Sequence, residues 1–308
     1  MAIATVIITT KNSAPTIRDC IESVMDSNYK DFKVMVVDSF SKDGSWNILK
    51  RMKKKYKNKL QIEQLESNIA KAHNHMIGKC NSKYIAFTDS DCAVDKDWLH
   101  NLLSGFKEKG VIATGGYCGT PIGVNKLQRL IGRELEDRFR NFPKYMTRFP
   151  TMNLAVRTSI AKKNLFDESF DVAQESDWGF RISKLGKMVY VPPAVVWHYH
   201  RATWSSYFKQ QFKYGKSAVK LYMKHRGKMK GDPITKGTMT MQPMLLLLTI
   251  LSLPFFPIAS ALPATLLSLI ILYDSVKLSR SVADFFYYLA IFAVRLIGWT
   301  LGMLSGFV

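Results

Sequence analysis

Strand-like and helix-like runs alternate through the amino-terminal third of this chain, and that alternation restricts the fold more than any other feature. Apolar, β-branched runs lie at 4–9, 33–38, 60–64 and 83–88, with helix-like runs at 14–26, 45–56 and 70–80 between them. Such alternation predicts a parallel α/β sheet with crossover helices. A helix at 98–108 and a strand at 111–115 follow. Residues 125–142 read as an amphipathic helix with Leu127, Leu130, Ile131, Leu135 and Phe139 on its apolar side. Further on, extended segments at 188–191 and 194–198 are parted by Pro192-Pro193.

The run Lys83-Tyr84-Ile85-Ala86-Phe87-Thr88 closes on Asp89-Ser90-Asp91. Two carboxylates two residues apart at a strand's carboxyl end can converge on one side of the chain. In an α/β sheet that end is where ligands bind. An Asp-x-Asp pair there suits a divalent ion with oxygen ligands, carrying the phosphates of a nucleotide. The competing reading is that both aspartates cap a following helix.

Charge is unevenly spread. The formal net charge is +20, and residues 178–231 hold twelve Lys or Arg and no Asp or Glu. More than half of the surplus therefore sits directly before an apolar tail. Basic blocks also bind nucleic acid, but this adjacency favours anionic lipid head groups; a solvated basic helix is the plain alternative. Cys20, Cys80, Cys92 and Cys118 show no Cys-x-x-Cys spacing and read as ordinary thiols of a reducing compartment. The start lacks the basic flank of a signal peptide and reads as a first strand.

Residues 241–273 carry no charge over 33 positions and are interrupted by Pro254, Pro257 and Pro263. About 20 residues cross a bilayer, so this stretch is either one kinked span or a hairpin of two short helices. Residues 285–308 form a second apolar stretch whose single charge, Arg295, is expected to face another helix or a head group. Lys224, Arg226, Lys228 and Lys230 precede the first segment, so the positive-inside rule keeps residues 1–235 in the cytosol. Two membrane segments and a cytosolic carboxyl terminus are expected, with a three-segment hairpin as the alternative.

Four motifs in order resemble family-2 glycosyltransferases of the GT-A fold. Ile7-Ile8-Thr9-Thr10-Lys11-Asn12 is similar to the family's opening strand and its Thr-x-Asn turn. Val36-Val37-Asp38-Ser39-Phe40-Ser41-Lys42-Asp43-Gly44 resembles the second-strand signature. Asn68-Ile69-Ala70-Lys71-Ala72-His73-Asn74 resembles the segment usually written Asn-x-Gly-x-x-x-Ala-x-Asn, and Thr88–Asp91 matches the Asp-x-Asp element. The resemblance covers roughly residues 3–214. It departs at Ser39, where a second Asp is usual, and at Phe40, where the family has Gly. The missing acid leaves the nucleotide's identity open.

Downstream, Met152-Asn153-Leu154 resembles the acceptor-side segment and Phe166-Asp167-Glu168 the element before the catalytic acids. Gln174-Glu175-Ser176-Asp177-Trp178-Gly179-Phe180-Arg181 is similar to Glu-Asp-x-Asp-Leu-x-x-Arg, with Gln174 replacing the leading Glu. Asp177 and Arg181, four apart on a helix, can pair; the lesser alternative for Asp177 is a plain helix N-terminal acid. His198 and His200 alternate with aromatics and would share one face of an extended chain. Gln210-Gln211-Phe212-Lys213-Tyr214 resembles the Gln-x-x-Arg-Trp element of membrane-bound sugar polymerases, with Lys and Tyr in place of Arg and Trp. With Trp204, Tyr207, Phe208 and Phe212 it reads slightly better as an interfacial helix.

The resemblance implies an α/β GT-A fold, a nucleotide-sugar-binding Rossmann-like sheet, with a C-terminal α-helical transmembrane region. It implies a GT-A domain at 1–203, a basic amphipathic juxtamembrane segment at 204–236 and a transmembrane region at 237–308. The implied activity is inverting transfer of a sugar from a UDP- or GDP-sugar to a lipid-linked acceptor, dependent on Mg2+ or Mn2+. Alternatives are a polyprenyl-phosphate glycosyltransferase of the dolichol-phosphate sugar synthase type, a nucleotidyltransferase and a decayed membrane scaffold. By resemblance, Glu175 and Asp177 are catalytic, and Thr9, Asn12, Asp38, Asn68, Lys71 and Asp89 bind nucleotide. Asp91 and His198 would hold the metal, and Asn153, Arg181, His200, Gln210 and Lys213 would serve the diphosphate or acceptor. Membrane lipids are expected partners and nucleic acid is not; homo-oligomerisation stays open.

Overall fold

The computed structural model describes residues 2–306. Its strands are β1 Ala4–Thr10, β2 Phe32–Asp38, β3 Leu60–Gln64, β4 Tyr84–Asp89, β5 Cys92–Val94, β6 Val111–Gly119, β7 Leu154–Arg157 and β8 Lys187–His198. Its α-helices are α1 Ile17–Met25, α2 Ser45–Tyr56, α3 Ile69–Lys79, α4 Trp98–Ser104, α5 Lys126–Arg140 and α6 Thr158–Lys163. Then come α7 Gln174–Ile182, α8 Trp204–Lys224, α9 Gly237–Ser252, α10 Pro257–Leu278 and α11 Val282–Gly306. The chain divides into two compact units. One comprises Met1–Pro121 and Phe139–Tyr199, the other Ile122–Arg138 and His200–Val308.

The first unit is built on one sheet ordered β3-β2-β1-β4-β7-β6-β8-β5. The expected parallel pairing holds from β3 to β4 and again between β6 and β8. An all-parallel sheet does not form: β7 lies antiparallel between β4 and β6, and β5 pairs antiparallel with β8. At four and three residues, β7 and β5 are too short to display a period. β8 runs through Pro192-Pro193 instead of breaking there. Its ladder with β6 passes from Gly116↔Val191 to Tyr117↔Val195, so the prolines fall in an irregularity where no ladder N–H is needed.

Local sequence explains the connections. Ile17, Cys20, Ile21 and Val24 put one face of α1 into the core. Asn68 caps α3 by accepting from Lys71 N at 2.9 Å. Asp43 ties two loops together, accepting from Ala14 N at 2.8 Å and from Ser45 N at 3.0 Å. The parallel strands β1, β2, β3 and β4 end on one edge of the sheet, so the loops after them share that edge.

The second unit is helical. Leu127 and Leu130 of α5 pack with Tyr207 of α8 and with Leu278, Tyr288, Ile291 and Phe292, which uses the apolar side read from the sequence. Arg295 faces another helix, as expected: its Nη1 lies 2.5 Å from Glu134 Oε1 of α5, and the arginine is buried. Pairing is what makes a buried guanidinium tolerable. The uncharged stretch folds as two helices, α9 and α10, not as one kinked span. Pro257–Leu278 and Val282–Gly306 are long and apolar enough to cross a membrane, whereas Gly237–Ser252 is shorter. The end of the second apolar stretch, Phe307 and Val308, lies outside the described residues.

Candidate active site

The loops after β1, β2 and β3 enclose a cleft of about 820 Å3 lined by Lys11, Asn12, Ser39, Phe40, Lys42 and Asn68, among others. Asn12 shapes one wall: its Oδ1 accepts from Lys42 N at 2.8 Å, and its own N–H donates to Ser41 Oγ at 2.7 Å. Asn12 and Phe40 both hold positive φ, 54° and 53°. The departure at Phe40 is therefore not a neutral one. Glycine occupies such backbone without cost, whereas a bulky side chain there is strained. Phe40 is also 52% exposed.

Asp38, implied to read the base, is fully buried. Its carboxylate accepts from Ser41 N at 3.1 Å, from Ser41 Oγ, and from Gln64 Nε2 at 2.9 Å. It fixes the turn that aims Phe40. Asn68 and Lys71 line the cleft, and Asn68 Nδ2 donates to Glu168 O at 2.7 Å. Thr9 sits beside Asp89 in register.

The Asp-x-Asp turn adjoins the cleft loops, because Ser13 Oγ and Ser90 Oγ lie 2.8 Å apart. Asp89 and Asp91 both raise the thiol pKa of fully buried Cys20 and Cys92, after burial itself, so the two carboxylates act on the same place. The register pairs Cys92 with His198, which brings Asp91 Oδ1 and His198 Nε2 to 3.4 Å. Burial disfavours the imidazolium, but the Asp91 carboxylate outweighs it and pushes the pKa up to about 10. Ligand atoms of Asp91, Cys92 and His198 all lie within 4.8 Å of one another. An oxygen and an imidazole nitrogen fit Mn2+. Cys92 fits less well, since a soft sulfur donor suits Zn or Cu better than Mn2+ or Mg2+.

Glu175 and Asp177 lie in the first turn of α7. Asp177 is fully buried, and Arg181 Nε donates to its Oδ2 at 2.9 Å. Arg181 Nη2 also donates to Leu165 O at 2.7 Å. Glu175 is half-buried. Asn153, implied to serve the diphosphate or acceptor, has its side chain inside the sheet. It is fully buried, accepts from Trp98 Nε1, and donates to Tyr117 O and Ala194 O, all at 2.8 Å. It acts as a clamp inside the sheet.

His200, Gln210 and Lys213 belong to the second unit. The His200 carbonyl accepts from Gln128 Nε2 at 2.8 Å. In α8 the buried glutamine is Gln211, which accepts from Trp299 Nε1 at 3.0 Å, while Lys213 is exposed. Sequence reasoning missed Lys11, Lys42, Glu66, Ser67 and Glu168 as cleft residues. Their position just past strand ends was the available signal for all but Glu168.

A model of Glycosyl transferase family 2 matches residues 5–169. The chain belongs to that family. It is similar to glycosyltransferase AglE of Haloferax volcanii, 25% identical over 232 residues, covering 72% of this chain and 74% of that one. Two further curated relatives are matched over only 16% and 50% of their own length. Mannosyltransferase PcManGT of Pyrobaculum calidifontis, solved with GDP-Man and Mn2+, superposes with a TM-score of 0.67 at 16% identity, covering 98% of this chain and 87% of that one. S. aureus TarS 1–349, solved with UDP-GlcNAc, gives a TM-score of 0.52 at 15% identity, covering 98% and 90%. These likenesses establish the α/β GT-A-like fold.

Proposed function

We propose that this protein transfers a sugar, with inversion, from a UDP- or GDP-linked donor to a lipid-linked acceptor at a membrane. The observation that carries the reading is the Asp91–His198 pair beside a cleft at the carboxyl edge of the sheet. The nucleoside would enter the cleft, and the diphosphate would extend toward Asp91 and His198. Asp91 and His198 would hold a divalent ion, Mn2+ or Mg2+, whose charge would offset that growing on the departing diphosphate. Lys11, Lys42 and Lys71 line that cleft and would add positive charge where the anionic donor enters. Glu175 would take the proton of an acceptor hydroxyl. The apolar helices and basic α8 support membrane attachment, with the catalytic unit on the cytosolic side.

Thermal unfolding with UDP- and GDP-sugars tests the donor class. A ligand at 100 times its Kd stabilises the folded state by about 2.7 kcal/mol, so a matching donor raises the midpoint by several degrees, and only with Mn2+ or Mg2+. No shift with any nucleotide sugar would count against the reading.

Phe40 gives a sharper check. Its exposed ring in strained backbone is a costly choice unless it stacks on a base, and such stacking is worth about 1–3 kcal/mol. Phe40→Gly is expected to weaken nucleotide binding roughly tenfold while leaving the ligand-free midpoint unchanged or higher. Unchanged affinity by calorimetry would remove the ring from the base site.

A further inference from the structure

Asp137, on α5, joins the two ends of the uncharged stretch. Its Oδ2 lies 3.6 Å from Lys236 Nζ, just before α9, and 2.9 Å from Lys277 Nζ, near the end of α10. Arg133 of the same helix donates to Leu278 O at 3.3 Å and to Asp284 Oδ2 at 2.7 Å. The chain therefore leaves α5 through α9 and comes back to α5 through α10. A segment that returns to its starting point has not delivered residues 279–281 to the other side of a bilayer.

The far end of this hairpin is apolar. Phe255 is 76% exposed and Ile258 91%, with no charge between residues 241 and 273. Its backbone is closed as well: Leu253 N donates to Thr249 O at 3.1 Å, and Phe255 N and Phe256 N donate to Ser252 O at 3.1 and 2.7 Å. Pro254 and Pro257 have no N–H to satisfy. A turn of this kind is tolerated in hydrocarbon, where every unmet donor is costly. At 16 residues α9 is about 24 Å long, short of the roughly 30 Å hydrocarbon core.

Helix α11 has a different constraint. A Cβ at Gly302 would collide with the Phe212 carbonyl oxygen, and one at Gly298 would lie 2.9 Å from Gln211 Cβ. Small residues at this four-residue spacing hold α11 directly against α8. Yet α8 exposes Lys209, Lys213, Lys216, Lys220 and Lys224, spaced to form one stripe. If α11 crossed the bilayer, those lysines would be carried into hydrocarbon with it, which is unfavourable. Beside them Ile297, Leu301 and Leu304 of α11 form an exposed apolar stripe, and Trp204 and Tyr287 sit 6.1 Å apart as interfacial aromatics.

We propose that the helical unit is monotopic. The α9–α10 hairpin enters the membrane and returns to the same side, and α11 lies in the interface with α8, whose lysine stripe meets anionic head groups. This replaces the two-segment topology expected from hydropathy. It rests on the membrane attachment proposed above but not on the donor.

Cysteine labelling of the full chain in its native membrane tests it. All four native cysteines are buried, so the parent gives a low background with a membrane-impermeant maleimide. Ile122→Cys marks the α5 side, Arg280→Cys the α10–α11 junction and Phe255→Cys the hairpin tip; all three sites are exposed. Ile122→Cys and Arg280→Cys should label from the same side, and Phe255→Cys from neither side until detergent dissolves the bilayer. Labelling of Arg280→Cys from the opposite side would establish that the chain crosses before α11, and labelling of Phe255→Cys there a spanning hairpin. Either outcome overturns the inference while leaving membrane attachment intact. Release of the parent protein from membranes by alkaline carbonate would instead remove the attachment itself, and the hairpin with it.

Discussion

Asp91→Asn is expected to cut sugar transfer on the order of 100-fold or more and to abolish Mn2+ binding by the purified protein. The substitution keeps the side chain's size and shape and removes one charged oxygen donor. The fold should survive it, because the Asp91 carbonyl, which accepts from Tyr199 N at 2.9 Å, is untouched. The pairing of β5 with β8 does not depend on that carboxylate either. Asp91→Asn also takes the partner from the His198 imidazolium, so a lowered unfolding midpoint is expected with it. Loss of Mn2+ binding at temperatures well below that midpoint reads the ion site and not misfolding. His198→Ala should weaken Mn2+ binding as well. Full activity of the wild-type enzyme in excess chelator would overturn the ion's role and leave the fold assignment standing.

The parts of this fold that can be read from sequence are those with enough length to show a period. Helix α2 and strand β3 fall at the expected boundaries, and α5 buries the stripe its leucines mark out. Strand β7 has no such length, and its antiparallel insertion depends on tertiary pairing that no local pattern encodes. The prolines of β8 read as a break because a proline supplies no ladder donor, and only the register shift against β6 shows where that loss is absorbed. Motif order likewise located the cleft and the Asp-x-Asp turn. It carried no information on burial, so neither the hydrogen bonds by which Asn153 clamps the sheet nor those by which Asp38 holds its own loop could be read from it. Helix packing in the second unit was the least legible. Hydropathy reports how apolar α11 is, but not that a lysine-bearing helix is locked against it.

The division of labour between Glu175 and Asp177 decides the acceptor. A hydroxyl acceptor needs a group that removes its proton as the new bond forms, whereas a polyprenyl phosphate oxygen is already ionised near neutral pH. Asp177 is committed elsewhere: it is fully buried and paired with Arg181, which in turn holds the Leu165 carbonyl. Nearby, Trp178 stacks on Phe166 with ring centroids 4.5 Å apart, so this end of α7 is fixed by packing. Asp177→Asn should therefore lower the unfolding midpoint as well as the rate, because removing one partner leaves a charge uncompensated. Glu175 is more accessible and lies in the first turn of α7. Glu175→Gln is expected to reduce turnover by roughly 100- to 10,000-fold, with donor affinity and midpoint unchanged. That pattern would assign the base to Glu175 and the acceptor to a hydroxyl, such as a sugar of a lipid-linked saccharide. If both variants still transfer sugar at near wild-type rates, no base is needed, and the acceptor is the phosphate of a polyprenyl lipid.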